Sequence, residues 1–292
     1  MSGITAGSVS ANGVEFAYLS AGDPAAPLAL CVHGFPDSAH GWRHLLPALA
    51  DAGYRAIAPF QRGYAPTSVP PDGRYQSGVL GVDANALHDA LGGNGDAVII
   101  GHDWGAHGAY AAAVLEPQRW HKVVSMALPP GTATGGALLT NLAQVKRSWY
   151  VFYFQSPLAD MVVPANDLAF IDMLWNDWSP GYDAGEDVVH VKNALRSPQN
   201  LAAALGIYRA ALGNGVRDPG LDAAQAATQA FPTQPHLYLH GRNDGCIGAE
   251  VAEACAAMAP ANLTVEFLED AGHFLHLERP DVVNARIVEF LG

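Results

Sequence analysis

Apolar positions along the chain fall into two regimes. Six short runs are apolar on both faces: "LALCVHG" from Leu28, "YRAIAPF" from Tyr54, "AVIIGHD" from Ala97, "KVVSMAL" from Lys122, "HLYLHG" from His236 and "LTVEFLE" from Leu263. Between them the pattern predicts helices around 77–92, 104–116, 249–259 and 280–291. Strands with no polar face, separated by helices, describe a largely parallel sheet covered on both sides. Ahead of them, "SVSANGVEFAYLS" predicts a hairpin turning at Asn12-Gly13. The second regime runs from about 131 to 230 and is helical and aromatic, as in "SWYVFYFQS", "LAFIDMLWNDWS" and "NLAAALGIYRAALG". No β-like run interrupts it. The expected organisation is an α/β core over 1–130, an inserted all-helical cap over 131–230, and a return to the same core over 231–292.

Composition narrows the picture. Half of the 292 residues are apolar and 15% are charged, so the chain has material for a large core. A formal net charge of −13 argues against nucleic acid or an anionic membrane as partner and favours a non-ionic small molecule. The first twenty residues carry no basic stretch followed by an apolar core, and no run reaches membrane-spanning length. A cytoplasmic protein is therefore expected, with Cys31, Cys246 and Cys255 as buried reduced thiols. Their spacing suits no metal, and neither metal nor cofactor is expected. A homo-oligomer is left open.

The candidate chemistry starts at "VIIGHDWGAHGAY". Asp103 stands where an apolar strand ends and a helix begins, with Gly101 and Gly105 two residues to either side. Ligands of α/β sheets bind at the carboxyl ends of strands. The spacing is that of a nucleophile elbow, G-x-S-x-G, with Asp in place of Ser. At this point nucleophile and simple helix cap are both open. A nucleotide-binding turn fits poorly, because Gly101, Gly105 and Gly108 give G-x-x-x-G-x-x-G and no Walker lysine follows.

Partners favour the nucleophile. An ester formed on a carboxylate needs a base to activate water and an acid to orient that base. "HLYLHGRNDGCIG" places Asp244 just after a strand, and "LEDAGHFLHLERP" places His273 in the loop after the next. The order nucleophile, acid, histidine follows. The other position for an acid, after "KVVSMAL", reads Pro129-Pro130-Gly131 and has no carboxylate. His33, His102 and His276 are read as scaffold imidazoles.

Together "HGFP" at 33–36, "GHDWG" at 101–105, "GRND" at 241–244 and "GHFLHLERP" at 272–280 resemble the epoxide hydrolases of the α/β-hydrolase fold, over nearly the whole chain from about residue 12. The resemblance implies that the backbone N–H groups of Phe35 and Trp104 form an oxyanion hole and that the Phe35–Pro36 bond is cis. It also implies two cap tyrosines that donate to the epoxide oxygen. "SWYVFYFQ" points to Tyr150, with Tyr153 the alternative, and "GIYRAAL" points to Tyr208. The implied reaction hydrolyses an apolar epoxide to a vicinal diol, with epoxide and water as the only reaction partners. An Asp suits it, because attack leaves an ester that water can cleave, whereas Ser would leave an ether.

The nearest rival is a haloalkane dehalogenase with the same Asp–His–Asp set. Many such enzymes resemble one another in an Asn after the first His-Gly, where this chain has Phe35. Fluoroacetate-type dehalogenases share HGFP but resemble H-D-R-G at the elbow, against Trp104 here. A non-enzymatic binding protein on the same fold is a lesser alternative. One departure stands out: where relatives usually carry Asp in D-x-R-G, "APFQRGYAPTS" has Phe60. It leaves that loop's conformation open.

Overall fold

The computed structural model describes residues 3–292. The predicted hairpin is formed by β1 (Thr5–Ala11) and β2 (Val14–Ala21), with Ala11 opposite Val14. Asn12 and Gly13 both take positive φ, 44° and 73°, as a two-residue hairpin turn requires. The six apolar runs supply β3 (Leu28–Val32), β4 (Arg55–Pro59), β5 (Val98–His102), β6 (Lys122–Met126), β7 (His236–Gly241) and β8 (Leu263–Leu268). All eight strands form one sheet in the order β1-β2-β4-β3-β5-β6-β7-β8. β2 pairs antiparallel with β1 and β4, and every other pairing is parallel.

Alternation along the strands divides the core between two faces. Leu28, Leu30 and Val32 join one apolar cluster with Ile99 and Val123, while Ala29 and Cys31 join another with Ile100 and Val124. The first cluster packs on α2 (Val79–Ala90) and α3 (Trp104–Leu115), which follow α1 (Leu45–Asp51) in the chain. The second takes in Leu45, Leu46 and Leu49 of α1 and the C-terminal segment of the core. All three cysteines are buried and free.

Between β6 and β7 the chain is helical, with no strand among the described residues. It runs through α4 (Ala133–Thr140), α5 (Leu142–Arg147), α6 (Trp149–Tyr153), α7 (Ala159–Val162), α8 (Ala165–Trp178), α9 (Gly185–Leu195), α10 (Pro198–Ala211) and α11 (Asp222–Ala227). The core then closes with α12 (Ala249–Ala256), α13 (Leu275–Glu278) and α14 (Pro280–Leu291). Among the described residues no helix is long and apolar enough to cross a membrane.

The insertion is tied to the strand ends beneath it. Trp175 of α8 donates from Nε1 to the Pro36 carbonyl at 2.8 Å and stacks on Phe274 at 3.5 Å. The Trp178 carbonyl accepts the N–H groups of both Gly245 and His273, each at 3.0 Å. One helix end therefore fixes the loops after β7 and β8 together. In the sheet, the chain steps from β3 outward to β4 and then returns across β3 to β5. Ligand crevices form at such a reversal, outside the carboxyl ends of the strands.

Candidate active site

Asp103 sits at that reversal, on the turn from β5 into α3. Its φ of 54° and ψ of −126° are rare for a residue with a side chain and cost on the order of 1–3 kcal/mol, which the surroundings must offset. The turn is possible because glycines flank it. A Cβ on Gly105 would collide with the Val32 carbonyl, and one on Gly34 would collide with the Asp103 carboxylate itself. Although it occupies the position before the helix, Asp103 makes no side-chain capping bond. Its Oδ1 instead accepts the backbone N–H of Phe35 at 2.8 Å, next to a cis Phe35–Pro36 bond. Burial pushes this carboxyl up to about 6, against the pull of His273 and of the N–H groups of Trp104 and Phe35.

His273 approaches the other oxygen. Its Nε2 lies 3.7 Å from Asp103 Oδ2 and makes no hydrogen bond, while Nδ1 donates to Asp244 Oδ2 at 3.0 Å. Asp244 is itself anchored, with Oδ1 accepting the N–H groups of Cys246 at 2.7 Å and Ile247 at 2.9 Å. Burial disfavours the imidazolium, but Asp244 and then Asp103 outweigh it and hold His273 above the ordinary imidazole value. An orienting carboxylate on Nδ1 leaves Nε2 with its lone pair free, the tautomer a general base needs.

Both cap tyrosines reach this centre. Tyr150 and Tyr208 are buried, meet edge to face at 5.7 Å, and line one cavity of about 240 Å³ with Asp103 and Trp104. The Tyr208 ring also packs edge-on against Phe35 and Trp104, each at 5.2 Å, and its hydroxyl has no hydrogen-bond partner. Burial raises both phenols well above their ordinary value, so each carries its proton at neutral pH. Tyr153 is placed differently: it stacks on Phe170 at 5.8 Å and does not line the cavity. The wall is less uniformly apolar than the cap aromatics suggest. Leu128, Val151 and Leu212 share it with His107, Thr134 and Gln229.

The three scaffold imidazoles are buried around the centre. His33 Nε2 accepts the Gln61 N–H at 3.0 Å, and His102 Nε2 lies 2.9 Å from the His273 carbonyl. Phe60 is buried in its loop, where its N–H donates to the Ala17 carbonyl and its own carbonyl accepts Thr67 Oγ1. With Phe60 at that position the loop still closes on His33 through Gln61. One neighbour escaped the sequence reading. Cys246 Sγ stands 3.2 Å from the Tyr150 hydroxyl, and a cysteine two residues after an acid carries no signal of that contact.

The alpha/beta hydrolase fold family matches residues 27–280. The chain is 29% identical over 299 residues to the AB hydrolase superfamily protein YfhM of Bacillus subtilis, covering 100% of this chain and 99% of that one. It is 29% identical over 313 residues to epoxide hydrolase A of Mycobacterium tuberculosis, covering 97% and 96%. The crystal structure of epoxide hydrolase A from Mycobacterium thermoresistibile superposes with a TM-score of 0.78 at 28% identity, covering 99% of this chain and 98% of the other.

Proposed function

The chain belongs to the α/β-hydrolase fold family, and within it we propose that it is an epoxide hydrolase working through an ester on Asp103. The reading is carried by one observation: two buried, protonated tyrosines converge on the cavity that Asp103 lines, one with its hydroxyl unpartnered. An epoxide oxygen accepting from them fills that need, and ring opening requires such a donor. Names of the relatives, epoxide hydrolase A among them, point the same way.

In the first step Asp103 Oδ2 attacks a ring carbon. The carbon–oxygen bond of the ring breaks, and its electron pair takes a proton from Tyr208 or Tyr150. In the second step His273 Nε2 removes a proton from water, which adds to the Asp103 carboxyl carbon. Negative charge develops on Oδ1, where the Phe35 N–H already donates and the Trp104 N–H completes the pair. Collapse expels the alkoxide, which takes the proton from His273 and leaves as the diol. The second water proton, left on the Asp103 carboxyl, returns to the tyrosinate and restores both groups. Asp244 holds the imidazole throughout.

A single turnover in ¹⁸O-water tests this order. The account expects the first diol to carry unlabelled oxygen from Asp103 and the label to appear in the Asp103 carboxylate. Label in the first diol would mean direct attack by water and would overturn the ester route. A dehalogenase reading has one observation in its favour: the Trp104 indole N–H is buried and unpartnered beside the same cavity, as a halide donor would be. Halide release from haloalkanes without epoxide turnover would select that reading.

A further inference from the structure

The groups around Asp103 are also a metal-ligand set. A carboxylate oxygen of Asp103, Sγ of Cys246 and a ring nitrogen of His273 lie within 4.8 Å of one another, and all three residues are buried. One thiolate, one imidazole and one carboxylate suit a borderline-soft divalent cation, whereas Mg²⁺ and Ca²⁺ want oxygen ligands. The orientation of each donor fits. His273 is fully buried with Nε2 unpartnered, while Nδ1 donates to Asp244. A carboxylate behind the imidazole is the arrangement that orients a metal-bound histidine and raises its basicity. Asp103 commits Oδ1 to Phe35 and keeps Oδ2 at 3.7 Å from Nε2. A tetrahedral zinc site with bonds near 2.0–2.1 Å spaces such atoms about 3.4 Å apart, so small movements close it.

We propose that Asp103, Cys246 and His273 form an inhibitory site for a thiophilic divalent cation of the Zn²⁺ or Cd²⁺ type, reached through the substrate cavity. On binding, the Cys246 S–H bond breaks, its proton leaves to solvent and a sulfur–metal bond forms. His273 gives its Nε2 lone pair and Asp103 its Oδ2. No electron is transferred. Two anionic ligands balance the divalent charge, so the buried complex is neutral. Tyr150, 3.2 Å from Sγ, is placed to donate to the thiolate. The cation would occupy the nucleophile and the base at once. Inhibition therefore rests on the proposed function, but binding does not.

A second buried set, Asp37, His102 and His276, has a similar span and contains no sulfur. Co²⁺ used as a probe separates the two, because only Cys246 gives a thiolate-to-metal charge-transfer band. The expected result on the full chain is one equivalent of Co²⁺ with that band, displaced by Zn²⁺ and not by excess Mg²⁺. Cys246→Ala should abolish the band and weaken Zn²⁺ binding by about 100-fold or more, and Asp103→Asn should weaken binding while keeping the band. Circular dichroism checks that each variant folds, and Cys246→Ser serves if the alanine variant does not. A wild-type Co²⁺ spectrum without the band, or Zn²⁺ binding unchanged by Cys246→Ala, would overturn the proposal. Both readouts stand whether or not the enzyme opens epoxides, and loss of turnover at stoichiometric Zn²⁺ is the further expectation when it does.

Discussion

Asp103 and Asp244 stand on loops at the carboxyl ends of β5 and β7, with one strand between them, and both are buried. Their environments differ in one respect that matters. Asp244 accepts two backbone N–H groups on Oδ1 and the His273 Nδ1 proton on Oδ2, so each oxygen is committed. Asp103 commits only Oδ1, to Phe35, and holds Oδ2 toward Nε2 at 3.7 Å, beyond hydrogen-bond length. A carboxylate whose oxygens are both satisfied is a fixed charge. One with an uncommitted oxygen, desolvated and raised to about 6, is the group that the proposed ester route takes as its reactant. The same residue type is thus fitted to two tasks by its hydrogen bonds and its turn.

Breaking the uncommitted carboxylate should have the largest effect. Asp103→Ala removes the group on which the proposed ester would form, and turnover should fall to background in a sensitive diol assay, a loss of ~10⁴-fold or more. Asp244→Asn keeps the shape of the orienting residue and removes its charge. Ester hydrolysis, followed by rapid quench, should slow by ~10²–10⁴-fold because the imidazole loses its tautomer and its stabilising partner. If instead ester formation slowed and hydrolysis did not, the two aspartates would have been assigned in reverse.

Smaller effects sharpen the contrast. Tyr208→Phe should slow ester formation by about 10²-fold and leave ester hydrolysis nearly unchanged, since the phenol acts only on the ring oxygen. An unchanged rate of ester formation would make Tyr208 a packing residue. The pH dependence of the two steps should also separate. Asp103 must be ionised to attack, and its raised value means that kcat/KM is present above about 6 and is lost as pH falls through it, approximately tenfold per unit below. Ester hydrolysis needs neutral His273, whose value is also raised, so that step declines as pH falls through the histidine's own titration. A single shared inflection in pre-steady-state data would contradict independent roles.

Much of this was legible from residue order. The runs at β3 to β7 are buried on both faces almost throughout, which marks doubly covered strands, and their alternation with helices gives the parallel arrangement. β8, at the sheet edge, exposes Thr264 and carries Glu266 on the same face. Glycines on either side of Asp103 signal a turn too tight for side chains. Other parts depend on approach in space. Cys246 meets Tyr150 across 96 residues because the Trp178 carbonyl pins the loops after β7 and β8 under the helical insertion. Inside α8, Asn166, Asp167 and Leu168 all take left-handed φ near 50–60°, a conformation that Asn and Asp accept more readily than other side chains but that runs against the preference of leucine. Residue order presents His102 and His276 singly, as scaffold imidazoles, and not as a buried group with Asp37 whose polar atoms include several without partners.

The central claim is that Asp103 carries the covalent intermediate while Asp244 never does. Replacing His273 with Gln should stop the reaction at the ester, and peptide mass spectrometry after incubation with aryl and alkyl epoxides reads where it stops. The account predicts a gain equal to the whole epoxide on the peptide containing Asp103. Adduct on the Asp244 peptide, or none on a folded variant with an epoxide the wild-type enzyme turns over, would contradict it.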